Sequence, residues 1–229
     1  DPKDKLGDVL LGWALYGLKN CDLVWLLRDA RREASPDDPK VIEMIQEAGK
    51  PAWLLWNKVD RVKGWEMPPL PDDLPYARQF AISGLRGDGI DEILDALAET
   101  LPPGPLLFED DQVSDRDLRF LVAELVREQL FRNLGQEVPY GLATQTEVFE
   151  ENPAGKTLIR VVIYTEREAH KPIIIGKGGE MLKKIGARAR AEIERLLDAP
   201  VFLELWVKVR PKWRSDEQQL TRFGLRPPE

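Results

Sequence analysis

The chain is poor in the residues that build metal centres and covalent frameworks. Cysteine occurs once, at Cys21, and histidine once, at His170. A single cysteine excludes an internal disulfide framework and fits a reducing compartment. One histidine without a cysteine cluster makes no zinc-type site, so His170 reads as a surface or edge residue. No apolar run approaches the roughly 18 residues needed to span a bilayer, and the N-terminus carries no secretory pattern. The phosphate-cradling pattern G-x-x-x-x-G-K-[ST] does not occur. An excess of positive charge is missing too: the net charge is -7, which taken alone argues against a nucleic-acid binder. What remains is an ordinary globular composition, 43% hydrophobic and 32% charged over 229 residues, enough for one large or two ordinary domains.

The distribution of charge changes that reading. Residues 1–104 carry 13 Lys+Arg against 19 Asp+Glu, and residues 105–229 carry 20 against 21. Within the second half, Lys171–Arg214 holds 11 basic and 5 acidic residues. A basic segment on an acidic protein is the footprint of a local anion site, although a solvated helix face has the same composition.

Two patterns of periodicity divide the chain. In the first hundred residues helices alternate with short apolar runs. Leu6–Leu18, Lys40–Ala48 and Ile90–Leu101 read as helices. Leu23–Leu27, Pro51–Trp56 and Gln79–Ile82 read as strands, the first two buried on both faces of a parallel sheet. Ser35–Pro39 reads as a turn and helix start. The prediction is an α/β domain, a doubly wound sheet. Leu101-Pro102-Pro103-Gly104-Pro105 then stops any helix and stiffens the chain, so the boundary falls there: 1–104, a linker over 105–113, and a second domain over 114–229. That domain opens with a capping-box-like Ser114-Asp115-Arg116-Asp117 and a helix to about Leu134, with Leu118, Leu121, Val122 and Leu125 inward. Tyr140–Glu150 and Lys156–Glu166 alternate as an antiparallel pair around Asn152–Gly155. A helix over Glu180–Asp198 and a strand over Val201–Val209 follow.

Ile173-Ile174-Ile175-Gly176-Lys177-Gly178-Gly179 carries the sharpest chemical signal. Gly176 and Gly179 remove side chains, so a phosphate backbone can approach the main chain. A helix starts at once, and its first amides favour anions. Lys177 adds a mobile charge. On that helix Met181, Leu182, Ile185, Ala189, Ile193, Leu196 and Leu197 form a core stripe, while Lys184, Arg188 and Arg195 cluster elsewhere. The dinucleotide fingerprint G-x-G-x-x-G does not fit the spacing, and Gly176-Lys177 is followed by glycine where a Walker A needs Ser or Thr. G-x-x-G in this element order resembles a type II KH domain, whose loop clamps about four nucleotides of single-stranded RNA. Ile173, Ile174 and Ile175 are then expected at the groove floor, some of them shared with the core. Trp53, Trp56 and Trp206 are expected in the core, and Trp213 is a candidate to stack on a base. The carboxylate pairs Asp72/Asp73 and Asp110/Asp111 read as solvated loops.

Asn57-Lys58-Val59-Asp60 follows a buried strand. In GTPases this order places a carboxylate that accepts two hydrogen bonds from guanine, which adenine cannot offer. Ala81-Ile82-Ser83-Gly84-Leu85 resembles the partner loop whose backbone amide meets guanine O6, with Gly84 where alanine is usual. The candidate guanine contacts are Asn57, Lys58, Asp60, Ser83 and Gly84.

Taken with Phe108–Asp111, Ser114–Arg116, Arg119-Phe120, Glu124, Arg127-Glu128, Glu137–Tyr140 and the Trp213-Arg214…Leu220…Gly224 end, these motifs resemble the Era family of GTPases over nearly the whole chain. The resemblance implies part of a P-loop-GTPase-type sheet followed by a KH domain. It implies GTP or GDP with Mg²⁺ as cofactor of the intact protein. The implied partners are the 3′ end of small-subunit ribosomal RNA and the small subunit itself. A monomer in the cytoplasm is implied, with peripheral contact at the inner membrane. The RNA contacts expected are Ile173, Ile174, Ile175, Gly176, Lys177, Gly178, Gly179, Lys184 and Arg188. Because the P-loop and switch segments are not among the 229 residues, these residues are expected neither to hydrolyse GTP nor to hold it tightly. About 70 further residues are expected upstream, from the usual size of such a domain. The alternative is a nucleotide-independent RNA-binding or scaffolding role.

Overall fold

The computed structural model describes residues 4–32, 38–70, 76–105, 114–135, 137–152 and 155–225. They form two compact units, the first from Leu10 to Pro105 and the second from 114–225 together with the residues up to Val9. The start of the chain belongs to the second unit. Most of the expected linker, both carboxylate pairs, and most of the Ser35–Pro39 turn lie outside the described residues.

The first unit runs from within α1 (Lys5–Asn20) through β1 (Val24–Asp29), α2 (Asp38–Ala48), β2 (Ala52–Asn57), β3 (Tyr76–Ile82) and α3 (Ile90–Thr100). Its strands form a parallel sheet in the order β1-β2-β3. Alternation along β2 explains the layers: Trp53 and Leu55 pack with Ile93 and Ala96 of α3, while Ala52 and Leu54 pack with Ile45 of α2 and Leu18 of α1. Each fully buried leucine or isoleucine among them contributes about 1.5–3 kcal/mol of transfer free energy. β1 departs from expectation. Val24 and Leu26 are covered, but Trp25 and Leu27 are exposed. The α3 core cluster draws its sheet residues from β2 and β3 and reaches β1 only beside it, at Leu23, so among the described residues no layer covers Trp25 and Leu27. Parallel pairing brings Asp29, Asn57 and Ile82 to one edge of the sheet, where ligands bind in α/β folds.

The second unit runs α4 (Leu118–Asn133), β4 (Leu142–Glu150), β5 (Thr157–Thr165), α5 (Lys171–Ile175), α6 (Glu180–Leu197), β6 (Val201–Val209) and α7 (Glu217–Arg222). The sheet order is β4-β5-β6, with β4–β5 antiparallel and β5–β6 parallel. This is the element order expected of a type II KH fold. Asp117 caps α4, accepting a hydrogen bond from the Phe120 amide at 2.7 Å, whereas Ser114 accepts one from the Arg116 amide at 3.0 Å. The cap is thus the aspartate at the end of the predicted box rather than the serine at its start.

The two faces of this sheet bury different clusters. Ile159, Val161 and Ile163 meet Val122, Val126 and Leu130 of α4 and Ile185, Ala189 and Ile193 of α6. On the opposite face Val162 and Tyr164 meet Trp213, Leu220, Phe223, Leu6 and Val9. Trp213 is only 2% exposed, and its indole NH donates to the Gly141 carbonyl at 3.3 Å. It cannot stack on a base as the sequence suggested, because α7 and the start of α1 close over it. Trp206, expected in the core, is instead exposed, as are Leu118 and Leu196 at the edges of their stripes.

Candidate nucleic-acid interface and nucleotide pocket

The glycine-rich loop joins two helices. α5 ends at Ile175, Gly176 turns the chain at φ 77°, and a single 3₁₀ turn over Lys177–Gly179 leads into α6. Gly178 and Gly179 also lie at positive φ, 60° and 82°. Gly176 has a second constraint: a Cβ there would sit 2.6 Å from the Met181 Cβ. Lys177 and Gly178 are exposed, and no side chain caps the first turn of α6. The anion-favouring end of α6 therefore opens onto the loop.

Beside it runs an open cleft of about 430 Å³ between α6 and β6, lined by Gly179, Leu182, Lys183, Gly186, Ala187, Arg190, Leu203 and Leu205. Its floor is aliphatic and its cations are Lys183 and Arg190. Small residues make the cleft: a Cβ on Gly186 would come within 3.3 Å of Leu205.

Three expected contacts fall elsewhere. Ile174 is 0% exposed and belongs to the core. Successive residues of a helix point about 100° apart, so only Ile173 of the three isoleucines is well exposed. Lys184 and Arg188 do not line the cleft; Arg188 donates to the Asn133 side chain of α4 at 3.0 Å. On the wheel they lie roughly a third of a turn or more from the Gly186 face. Helical spacing clusters these charges but does not place β6, whose position decides which face of α6 forms a cleft. The spacing Lys183-x-x-Gly186-Ala187-x-x-Arg190, two small residues bracketed by cations, was the available signal.

At the C-terminal edge of the first sheet, two loops interlock. Lys58 adopts φ 68° directly after β2, and the chain tightens into a 3₁₀ turn over Val59–Arg61. The Asn57 carboxamide oxygen accepts from the amides of Lys58 at 2.7 Å and Gly84 at 3.0 Å. The buried Ser83 hydroxyl donates to Asp60 at 2.7 Å. The Asp60 side chain is 3% exposed, with Arg61 at 3.4 Å and Arg86 at 4.0 Å. The Ser83 hydrogen bond, with help from Arg86 and Arg61, holds the Asp60 carboxyl below its usual range. Lys58 reaches Asp29 at 2.8 Å, and Arg31 grips the same carboxylate. Those two partners, Arg31 first, hold Asp29 well below the carboxylate range.

Arg31, Asn57, Lys58, Asp60, Arg61, Gly84 and Leu85 line an open pocket of about 340 Å³. An ionised carboxylate at its floor and a lysine stem at its wall fit a guanine ring. The Gly84 amide is already given to Asn57, so an acceptor entering the pocket would have to share it. Arg31 and Asp29 were not anticipated; they join the site because β1 pairs in register with β2.

A family model described as KH domain matches residues 137–214. The GTPase Era of Ruminiclostridium cellulolyticum is 39% identical over 229 residues, covering 98% of this chain and 77% of that protein. The GTPase Era of Rhizobium meliloti is 41% identical over 228 residues, with 98% and 73% covered. Among solved structures, a point variant of Aquifex aeolicus Era bound to GDP.AlF4- superposes with a TM-score of 0.88 at 33% identity, covering 98% of this chain and 78% of that one. Era in complex with MgGDPNP and nucleotides 1506-1542 of 16S ribosomal RNA superposes with a TM-score of 0.90 at 35% identity, with the same coverage. Identity of this order over nearly every residue, with both sets of loops in place, identifies the chain as a member of the GTPase Era family.

Proposed function

We propose that the chain is the guanine-reading and RNA-docking part of a GTP-regulated ribosome assembly factor, and that it holds the unpaired 3′ end of small-subunit ribosomal RNA along the α6–β6 cleft. One observation carries this reading: an exposed Lys177-Gly178 loop at an uncapped helix start opens beside an aliphatic cleft flanked by Lys183 and Arg190. Backbone amides and cations suit the sugar-phosphate chain, and the aliphatic floor suits base faces. The relative solved with nucleotides 1506-1542 supports the choice of RNA. That segment far exceeds the roughly four nucleotides such a loop clamps. The role belongs to the cytoplasm, on the small ribosomal subunit. No helix among the described residues is long and apolar enough to cross a membrane.

The test replaces Lys177 and Gly178 together by aspartate. A Cβ at Gly178 meets nothing within 4 Å, and aspartate tolerates the left-handed region better than most residues, so the variant is expected to fold, at a small backbone cost. Its affinity for a 3′-terminal ribosomal oligoribonucleotide is expected to fall by at least about 100-fold, from one reversed and one added negative charge at a phosphate site. Unchanged affinity rejects the assignment.

For nucleotide, Asp60, Lys58 and the Ser83–Leu85 loop supply base selection, and the 229 residues contain no phosphate-cradling motif. Titration with fluorescent GDP should give weak binding that ignores Mg²⁺. Tight Mg²⁺-dependent binding would show a phosphate site in these residues and overturn that half of the reading.

A further inference from the structure

Residues alternate across a strand, so β6 presents two surfaces. Leu203 and Leu205 line the α6 cleft. Phe202 and Trp206 point the other way and are 54% and 47% exposed. They lie four residues apart, about 13 Å along one face. The Arg160 guanidinium of β5 stands over the Trp206 ring at 4.5 Å, and the Lys208 ammonium lies 5.7 Å from it. Both cations already have partners: Arg160 bonds Glu204 at 2.6 Å, and Lys208 bonds Glu147 at 3.0 Å. The bond to Glu204 holds Arg160 over the indole. Beyond this patch the same sheet face is covered by the Trp213 cluster.

We infer that Phe202 and Trp206, with Arg160 behind the indole, form a second base-stacking subsite for single-stranded RNA, occupied by nucleotides of the strand that leaves the α6–β6 cleft. The inference rests on the RNA reading of that cleft. Three observations point to the same occupant. First, among the described residues β6 pairs only with β5, so no further strand occupies its outer edge and a strand in the cleft can turn over it. The cleft-lining Leu205 and the exposed Trp206 are adjacent in sequence. Second, an aromatic ring backed by guanidinium suits the π-face of any base. Third, the cations here are counter-charged, so the patch offers stacking without net phosphate attraction. It can extend a site whose electrostatics are supplied elsewhere, but it would not capture RNA alone.

The experiment uses the whole chain and two labelled oligoribonucleotides cut from the 3′ end of small-subunit ribosomal RNA. One has about four nucleotides, the length the loop clamps, and one has about twelve, within the range of extended single-strand sites. Trp206→Ala should weaken binding of the longer oligomer by about 5- to 50-fold, from the loss of one stacking contact, and leave the shorter unchanged. Trp206→Phe should recover most of the loss. The salt dependence of the longer oligomer should keep its slope in Trp206→Ala, because no phosphate contact is removed. Full affinity of Trp206→Ala for the longer oligomer overturns the subsite and leaves the cleft reading intact, provided the Lys177/Gly178 double variant still abolishes binding. Equal losses for both lengths overturn it too, as a structural defect. If the wild-type chain binds neither oligomer, the cleft reading falls and the subsite with it.

Discussion

Glycines that look alike in the sequence do opposite work. At Gly84 an added Cβ would meet only the Asn57 side chain, at 3.5 Å, which is ordinary contact, and the backbone there is not left-handed. Gly84→Ala should therefore raise stability by about 0.4–1 kcal/mol, by reducing the freedom of the unfolded chain. Thermal denaturation would register this as a higher midpoint, and a lower one would contradict the geometry. Gly176 is the reverse case: positive φ and a Met181 contact at 2.6 Å together forbid a methyl. Gly176→Ala should cost about 1–3 kcal/mol and weaken RNA binding, because the loop must shift to relieve the clash. Ile174 teaches a related lesson. It sits between two neighbours in an apolar triplet, yet it alone of the three is fully buried, because helical geometry separates adjacent side chains.

α6 has three working surfaces: a core stripe through Ile185, Ala189 and Ile193, a cleft wall through Lys183, Gly186 and Arg190, and a side toward α4 that includes Arg188. The expected consequence is a split among its cations. Lys183→Ala and Arg190→Ala should each lower RNA affinity, and each should reduce the slope of log K against log salt by about 0.7–1, one phosphate contact apiece. Lys184→Ala should leave that slope alone. Salt titrations of the three variants decide the matter, and a loss confined to Lys184→Ala would return the interface to the face that charge clustering first suggested.

The second unit depends on residues far from it in sequence. Leu6 and Val9 are buried with Trp213, Leu220 and Phe223, and Lys5 and Asp4 reach Glu217 and Arg214 at 3.0 Å each. Leu6→Ala should cost about 2–3 kcal/mol, read as a drop in the unfolding transition of the KH unit. The same sheet face sets a pH dependence. Burial works against ionising Glu147, but the Tyr164 hydroxyl, Lys208 and Arg222 outweigh it and hold its pKa below the ordinary 4.5. A depressed carboxylate pKa gives stability that is present above pH 4.5 and lost as pH falls through the folded value. Tyr164 is the mirror case. Burial, then its bond to Glu147, pushes its pKa from 10.0 up to about 12, so its contribution is intact below pH 10 and lost as pH climbs toward 12. Denaturation midpoints across pH should fall at both ends. Tyr164→Phe should remove the alkaline limb, and persistence of that limb would assign it to another group.

Local pattern alone gave the element order of the first unit, the longer elements of the second without α5 and α7, the G-x-x-G loop and the Asn57–Asp60 loop, because periodicity, turn chemistry and short motifs are written in neighbouring residues. Partnership between distant segments was not legible there. Which face of α6 becomes a cleft depends on where β6 lies. Trp206 is exposed and Trp213 buried because α7 and the first turns of α1 cover one end of a sheet face and not the other. Asp29 meets Lys58 beside the Asn57–Asp60 loop only through strand register. Burial and juxtaposition are properties of the packed chain, so only the tertiary structure could decide them.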